Sequence, residues 1–216
     1  TVIEADLVYP LLRGRDVKRW HAEPSAHIIL AQDPVTRTGI RETVMKVKYP
    51  KTYAYLKRFE GDPKKPERGT LRGRATSFVR RPIENGAPFY TMFAVGEYTL
   101  AEWKVLWPEM GNSVRAGVCG PLGVDKTKPS LPDHTIVGVS CSGENEAYFI
   151  SGLLNSAPSH IAAAAYIVLH PSPHIMENIA VPKYSEGLQQ HAALTGLSRD
   201  CHAAAARGDA DAVEAL

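Results

Sequence analysis

Residues 7–20 read L-V-Y-P-L-L-R-G-R-D-V-K-R-W, an apolar run that turns at Pro10 into a dense basic cluster. Four cations lie within seven residues of this sequence: Arg13, Arg15, Lys18 and Arg19. Gly14 lets the backbone bend between two arginines without a Cβ clash. The planar fork of arginine matches phosphate oxygens and the edge of guanine. The cluster therefore indicates a surface for an anionic partner, and the alternative is an ordinary hydrated face.

Charge is distributed unevenly along the 216 residues, although the net charge is only +2. Residues 1–80 contain 17 Lys/Arg and 9 Asp/Glu, whereas residues 81–145 contain 5 and 7, and residues 146–216 contain 3 and 7. Nucleic acid is a common partner of a protein part with such a basic excess. A second set of candidate contacts lies in two polar loops of this part: Arg37, Arg41, Arg72 and Arg74. The alternative explanation is chance combined with surface solubility.

The composition is that of a globular protein long enough for a large core, with 44% hydrophobic and 22% charged residues. No apolar run approaches the roughly 20 residues of a membrane helix, and the first residues do not resemble a signal peptide. Three widely spaced cysteines, an odd number, favour a reducing compartment over a disulfide scaffold. We therefore expect a cytoplasmic protein that does not associate with a membrane.

Helices are predicted where caps and apolar periodicity agree. Pro50 is expected in the first turn of a helix that continues to Phe59. A second helix is expected to start at Ser142 or Gly143, with Glu144 and Glu146 in its first turn, and to end near residue 155. Residues 159–169 fit either a helix or a strand, and the pattern favours a helix at the start of this segment and a strand at its end. Residues 186–206 show strong helical periodicity, and a further helix is expected from residue 209.

Short apolar runs bounded by Gly and Pro predict strands. The predicted strands are 26–31, 89–95, 103–107, 113–118, 135–139 and 171–182. Residues 61–76 hold too many prolines, glycines and cations for a packed element. The expected fold class is α+β, with a twisted or barrel-like mixed sheet of short strands, flanking helices and a helical C-terminal end. We treat residues 1–216 as one domain with a basic part at 1–80, a sheet core at 81–184 and C-terminal helices at 185–216.

Catalytic motifs for phosphate binding or acyl transfer are absent from the sequence. Glu102-Trp103-Lys104 has the E-x-K spacing of some nucleases but lacks a preceding acidic residue on a convincing strand. Lys104 is the ninth candidate DNA contact. The alternative is that Lys104 is an ordinary outward-facing residue between the buried Trp103 and Trp107. The interval His170–His174 contains two prolines, which favours a loop over a metal site. We expect no catalytic residue, cofactor or metal in this fragment.

Five segments occur in an order that resembles a known family: residues 9–20, 49–59, 103–111, 145–156 and 174–184. Their order is similar to the C-terminal target-recognition (TaqI-like specificity) domain of adenine-specific DNA methyltransferases, above all those of fused type II restriction–modification enzymes. The resemblance covers about residues 7–206. It implies a separate methyltransferase domain on the N-terminal side of the same parent chain, which would bind S-adenosylmethionine and carry the catalytic N-P-P-[Y/F] motif.

The resemblance therefore implies a module that binds double-stranded DNA and positions it for another domain. Lysine and arginine would neutralise phosphates, and a few side chains would read base edges. Base flipping and methyl transfer would take place in the missing domain. The runner-up is a docking domain whose basic half binds an acidic partner protein without contacting DNA. An enzyme with an unrecognised site is the third possibility.

Overall fold

The computed structural model describes residues 2–65, 67–74, 77–111, 113–121, 128–165 and 179–215. Within these ranges the protein is α+β, as the sequence predicts. The chain divides into two compact units. Unit 1 comprises Thr1–Val8 and Ile28–Leu100, and unit 2 comprises Tyr9–His27 and Ala101–Leu216. The boundaries between the units thus lie after residues 8, 27 and 100, so residues 9–27 of the basic part defined by charge belong to unit 2.

The described residues form seven α-helices. They are α1 (Glu42–Lys48), α2 (Pro50–Lys57), α3 (Ser77–Glu84), α4 (Glu144–Leu154), α5 (Ala157–Ala164), α6 (Gln189–Ala206) and α7 (Ala210–Ala215). In the described part of the chain, every helix is too short or too polar to cross a lipid bilayer.

The strands are short. They are β1 (Val8–Leu12), β2 (Val17–Lys18), β3 (His21–Ala22), β4 (Ala26–Ile29), β5 (Gln32–Asp33), β6 (Thr38–Gly39), β7 (Trp103–Pro108), β8 (Gly117–Cys119), β9 (Leu131–Pro132) and β10 (Ile136–Cys141). The largest antiparallel sheet has the order β10-β7-β8, with Val139 opposite Val105 and Val105 opposite Val118. In unit 2, β1 pairs in parallel with β9, and β2 pairs with β3. In unit 1, β5 and β6 form a hairpin. No described sheet closes on itself, so the structure gives small open sheets and no barrel.

Unit 1 is organised around α1 and α2. The start of α2 at Pro50 is as predicted, but the helix ends at Lys57, two residues before Phe59, and α1 precedes it as a separate helix. Pro50 opens α2, and its fixed φ suits the first helical position. The Glu4 carboxylate accepts hydrogen bonds from the backbone N–H groups of Lys51 and Thr52 at 3.0 and 2.7 Å, which satisfies free amides of the first turn. Burial acts to raise the pKa of Glu4, but the hydroxyl of Thr52 and these amides lower it to about 2. The helices cover a core that contains the buried side chains Leu7, Ala31, Met45, Tyr49, Phe89 and Tyr90.

Unit 2 packs the β10-β7-β8 sheet against α4, which in turn packs against α6. Gly143 is the N-cap of α4, and Ser142 donates its N–H and hydroxyl to the Glu146 carboxylate. A Cβ atom on Gly152 would lie 3.0 Å from the Leu194 side chain, so the glycine permits the close approach of α4 and α6. The core contains Val105, Trp107, Val114, Ala116, Val118, Ala147 and Leu154.

Several predicted elements differ from the structure. Residues 89–95 form no strand, because the Thr91 N–H donates to Pro88 C=O at 2.9 Å in a turn and Ala94 has a left-handed φ of 56°. The strand predicted at 113–118 is reduced to β8, and α5 resolves the ambiguous segment as a helix up to Ala164. Residues 166–178 lie outside the described residues, and so do the predictions that fall on them. From 179 to 184 the chain is not a strand.

Candidate nucleic-acid interface

The Arg13–Arg19 segment belongs to unit 2 and is built on a short 3₁₀ turn at Gly14–Asp16. Gly14 donates its N–H to the Thr135 hydroxyl at 2.8 Å, and a Cβ at Gly14 would lie 2.9 Å from that same oxygen. Glycine is therefore required here for close packing against Thr135. The turn fixes the direction in which the neighbouring arginines leave the backbone.

Arg13 is used inside unit 2. Its Nε lies 3.6 Å from the Asp16 carboxylate, and a terminal nitrogen donates to the Ser25 hydroxyl at 2.7 Å. Burial acts to raise the pKa of Asp16, but hydrogen bonds from Ser25 and the Arg13 backbone, with the charge of Arg13, hold it below its ordinary value. The ion pairs of Arg13 and Arg15 with Asp16 are thus similar in length, at 3.6 and 3.8 Å, but Arg13 is also held by its hydrogen bond to Ser25, whereas the Arg15 side chain is 70% exposed.

The end of the segment is anchored by Trp20, which is buried and has a left-handed φ of 62°. Lys18 is exposed on β2. Arg19 is exposed as well, but donates to the backbone C=O of Asn155 at 3.0 Å and lies 5.4 Å from the Trp20 ring centre. Arg15 and Lys18 are therefore the two cations of this segment that have most freedom to meet a partner.

The four other candidate arginines, Arg37, Arg41, Arg72 and Arg74, belong to unit 1. Arg37 is exposed at the tip of the β5–β6 hairpin, where its φ is 56°. Its backbone C=O accepts from the buried Gln32 amide at 2.9 Å. Arg41 is exposed immediately before α1, and its C=O accepts the N–H of Met45 at 3.0 Å. In the described ranges, the guanidinium of Arg41 has no hydrogen-bond or ion-pair partner.

Arg72 and Arg74 have internal partners in unit 1. Arg72 donates to the buried Glu60 carboxylate from two nitrogens, at 2.6 and 2.9 Å. Arg74 donates to the C=O groups of Leu71, Phe89 and Thr91 at 2.8, 2.9 and 2.8 Å, and burial lowers its pKa. The triplet Arg72-Gly73-Arg74 thus holds residues 71–74 against the core, although this does not test DNA binding.

Lys104 is 3% exposed on β7 of unit 2, so it is not the outward residue that its position between tryptophans indicated. Its ammonium donates to the backbone C=O groups of Ala101 and, at 3.2 Å, Ser130. Burial lowers the pKa of Lys104 to about 8, and the charge of nearby Cys119 offsets only part of this effect. The geometry gives Lys104 a structural role within the unit.

The structure therefore separates the nine candidates by unit and by partner. Arg13, Arg72, Arg74 and Lys104 are held by internal groups, Arg19 is partly held, and Arg15, Lys18, Arg37 and Arg41 extend into solvent. Unit 1 contains 14 Lys/Arg and 9 Asp/Glu, and unit 2 contains 11 and 14, so the positive excess belongs to unit 1. Sequence reasoning missed the exposed Arg81 on α3 and the exposed aromatic side chains of unit 1.

No group of three His, Cys, Asp or Glu side chains is arranged to hold a metal ion among the described residues. His170 and His174 lie outside those residues. A scan against models of protein families finds no match, and a search of curated proteins also finds none. The family resemblance of the five segments accordingly remains a prediction.

Proposed function

We propose that this chain is a duplex-DNA target-recognition module of a restriction–modification adenine DNA methyltransferase. The supporting observation is the segregation of charge by unit, +5 in unit 1 against −3 in unit 2, together with exposed cations that lack strong internal partners. In this proposal S-adenosylmethionine and the catalytic residues belong to a separate domain of the same parent chain. This fragment is not the enzyme itself.

Affinity would come mainly from phosphate contacts by the exposed cations, since each neutralised phosphate releases counterions. Arg37 and Arg41 of unit 1 and Arg15 and Lys18 of unit 2 are the candidates that the geometry favours. Arginine can also bond the edge of guanine with two nitrogens, and such a contact contributes about 1–3 kcal/mol of discrimination. Arg13 is a poorer candidate because its guanidinium is already bound to Asp16 and Ser25.

The test is the salt dependence of binding to a labelled duplex by fluorescence anisotropy. Two double variants address the units separately: Arg37→Glu with Arg41→Glu, and Arg15→Glu with Lys18→Glu. Each is expected to weaken binding and to reduce the slope of log affinity on log salt by about 2, because two phosphate contacts are lost. Lys183→Glu with Arg207→Glu is the matched control, since it reverses two exposed cations outside both candidate sets.

Control binding equal to wild type, with both double variants weakened, supports the assignment. An unchanged salt slope in both double variants rejects these four residues as phosphate contacts. If wild-type protein fails to bind any duplex at low salt, the DNA-recognition proposal itself is wrong.

A further inference from the structure

Unit 1 contains a groove of about 350 Å³, which falls in the range of about 300–1,000 Å³ that is typical of ligand pockets. The groove lies between the β5–β6 hairpin, helix α3 and residues 91–98. The lining side chains on which the argument depends are Arg37, Phe78, Thr91, Phe93 and Tyr98. All of them belong to unit 1.

The groove presents aromatic rings to solvent. Phe78 is 67% exposed and Phe93 is 47% exposed, and their rings are nearly parallel, with centroids 5.2 Å apart and an angle of 15°. Tyr98 is 52% exposed and donates its hydroxyl to Ala94 C=O at 2.7 Å. Exposed aromatic surface gains nothing from the hydrophobic effect in the free protein. A cluster of this kind marks a binding surface, and flat rings favour a flat ligand.

The walls of the groove are fixed by buried polar contacts. The Gln32 amide, 4% exposed, donates to Arg37 C=O and accepts from the Met92 N–H at 3.0 Å, and so joins the hairpin to the 91–98 segment. Arg37 and Ala94 both have a φ of 56°, a left-handed conformation that is uncommon outside glycine and concentrates at binding sites. The backbone of the hairpin and of the 91–98 segment is therefore held together before any ligand arrives.

Two polar features show what kind of flat ligand fits. Thr91 lines the groove and is 4% exposed, and its hydroxyl oxygen has no hydrogen-bond partner among the described residues. The oxygen faces Gly39, where an added Cβ would lie 2.7 Å from it, so the hydroxyl reaches a ligand in the groove only after a change of its staggered χ1 rotamer. Arg37 stands at the rim. A Cβ on Gly96 would lie 2.8 Å from the Tyr98 ring and 3.3 Å from Arg37 Nε, so this glycine makes room for both groups.

We infer that the groove binds a single unstacked nucleobase of a nucleic acid. The base stacks on the outer face of the Phe78–Phe93 pair, its polar edge bonds Thr91, and the flanking phosphate meets Arg37. Stacking on aromatic side chains and arginine at the phosphate are the common means of binding unpaired bases. The positive excess of unit 1 favours this polyanion over an apolar peptide. The inference extends the proposed function, because it adds a site for an extruded base to duplex binding.

The test compares three labelled DNAs with the full chain: an intact duplex, the same duplex with one unpaired thymine, and that bulged duplex with an abasic residue in place of the thymine. The abasic probe keeps the phosphates and the bend but removes the base. Wild-type protein is expected to bind the thymine bulge about 5- to 150-fold more tightly than the abasic bulge, which corresponds to about 1–3 kcal/mol of stacking.

The double variant Phe78→Leu with Phe93→Leu keeps apolar side chains at two exposed positions and is expected to fold. It should abolish the preference for the thymine bulge while leaving affinity for the intact duplex unchanged. Phe93→Tyr keeps the ring and should retain the preference. Thr91→Val, which preserves shape but removes the hydroxyl, should reduce it in part.

Equal wild-type affinity for the thymine and abasic bulges overturns the inference even when the intact duplex binds, and the proposed function then stands alone. A preference that survives the double leucine variant also overturns it. A third outcome is that wild type binds the thymine bulge but not the intact duplex, and that the double leucine variant loses this binding. This result supports the inference and rejects the proposal of duplex recognition. Absence of binding to all three DNAs rejects both the inference and the proposed function.

Discussion

Replacing Lys104 by Met separates a structural lysine from a DNA contact. Methionine is similar in length and unbranched, but it cannot be charged or donate to the C=O groups of Ala101 and Ser130. Because Lys104 is 3% exposed, its ammonium is not available to a phosphate in this structure. We therefore expect Lys104→Met to bind duplex DNA as wild type does and to differ in the pH dependence of its stability.

The magnitude follows from the pKa of Lys104, which burial lowers from 10.5 to about 8. One pKa unit corresponds to about 1.36 kcal/mol, so the effect on stability is on the order of 3 kcal/mol. Between pH 8 and 10.5 the unfolded chain binds the lysine proton more strongly than the folded chain does. The free energy of unfolding therefore rises with pH across this interval. Below pH 8 both states are protonated, and the unfavourable contribution of the buried charge is constant.

Urea unfolding followed by tryptophan fluorescence measures this effect, because Trp20, Trp103 and Trp107 all lie in unit 2 with Lys104. The difference in unfolding free energy between wild type and Lys104→Met should shift in favour of wild type by about 3 kcal/mol from pH 8 to 10.5. Lys183→Met removes an exposed lysine and should show no such shift. A pH-independent difference for Lys104→Met, or a clear loss of duplex affinity, would contradict the structural role.

Three further changes test the structure. Burial lowers the pKa of His202 to about 4, so between pH 6.5 and 4 the unfolded chain binds a proton that the folded chain does not. The unfolding free energy of wild type, measured in urea, should therefore fall by about 3 kcal/mol over this interval, and that of His202→Gln should not show this loss. Asn155→Leu removes both side-chain partners of the Ala116 backbone and should lower the unfolding free energy by at least about 2 kcal/mol in urea; no loss would refute those bonds. Arg74→Met should speed amide hydrogen exchange in residues 28–100 while duplex affinity stays at the wild-type value. A loss of duplex affinity without faster hydrogen exchange would assign Arg74 to DNA binding instead.

Helices were predictable where the signal is local. Pro50 at the first position of α2, and Gly143 with two glutamates at the start of α4, act on the backbone within one turn. The buried face of α6 was predicted less well. Leu197 belongs to the three- and four-residue apolar spacing of this helix, yet it is 46% exposed, whereas the polar Ser198 is 1% exposed. Because Gly152 lets α4 and α6 approach closely, small side chains fit at their contact better than large apolar ones. Hydrophobic periodicity identifies only apolar positions, so it does not predict that a serine is buried there.

The aromatic groove could not be predicted, because residues 89–95 read as an apolar run. Phe89 and Tyr90 are indeed buried, but the turn at Thr91 directs Phe93 outward to stack on Phe78. This turn depends on a hydrogen bond to Pro88 and on the left-handed Ala94, neither of which follows from residue type. A pattern of alternation over seven residues cannot distinguish a buried strand from such a turn.

The sequence contains two Arg-Gly-Arg triplets, Arg13-Gly14-Arg15 and Arg72-Gly73-Arg74, and a charge pattern alone does not show which of their arginines form internal ion pairs. Both look alike in sequence, yet Arg13 is bound by Asp16 and Arg72 by Glu60, which is twelve residues away along the chain. An internal ion pair removes one cation and one anion together, so it leaves the net charge of a unit unchanged. The +5 of unit 1 therefore persists as a long-range attraction for a polyanion, whatever pairs form inside it. Only the cations that remain exposed can contact phosphate. Arg41 is therefore a better candidate for a phosphate contact than Arg72, whose guanidinium is bound by Glu60.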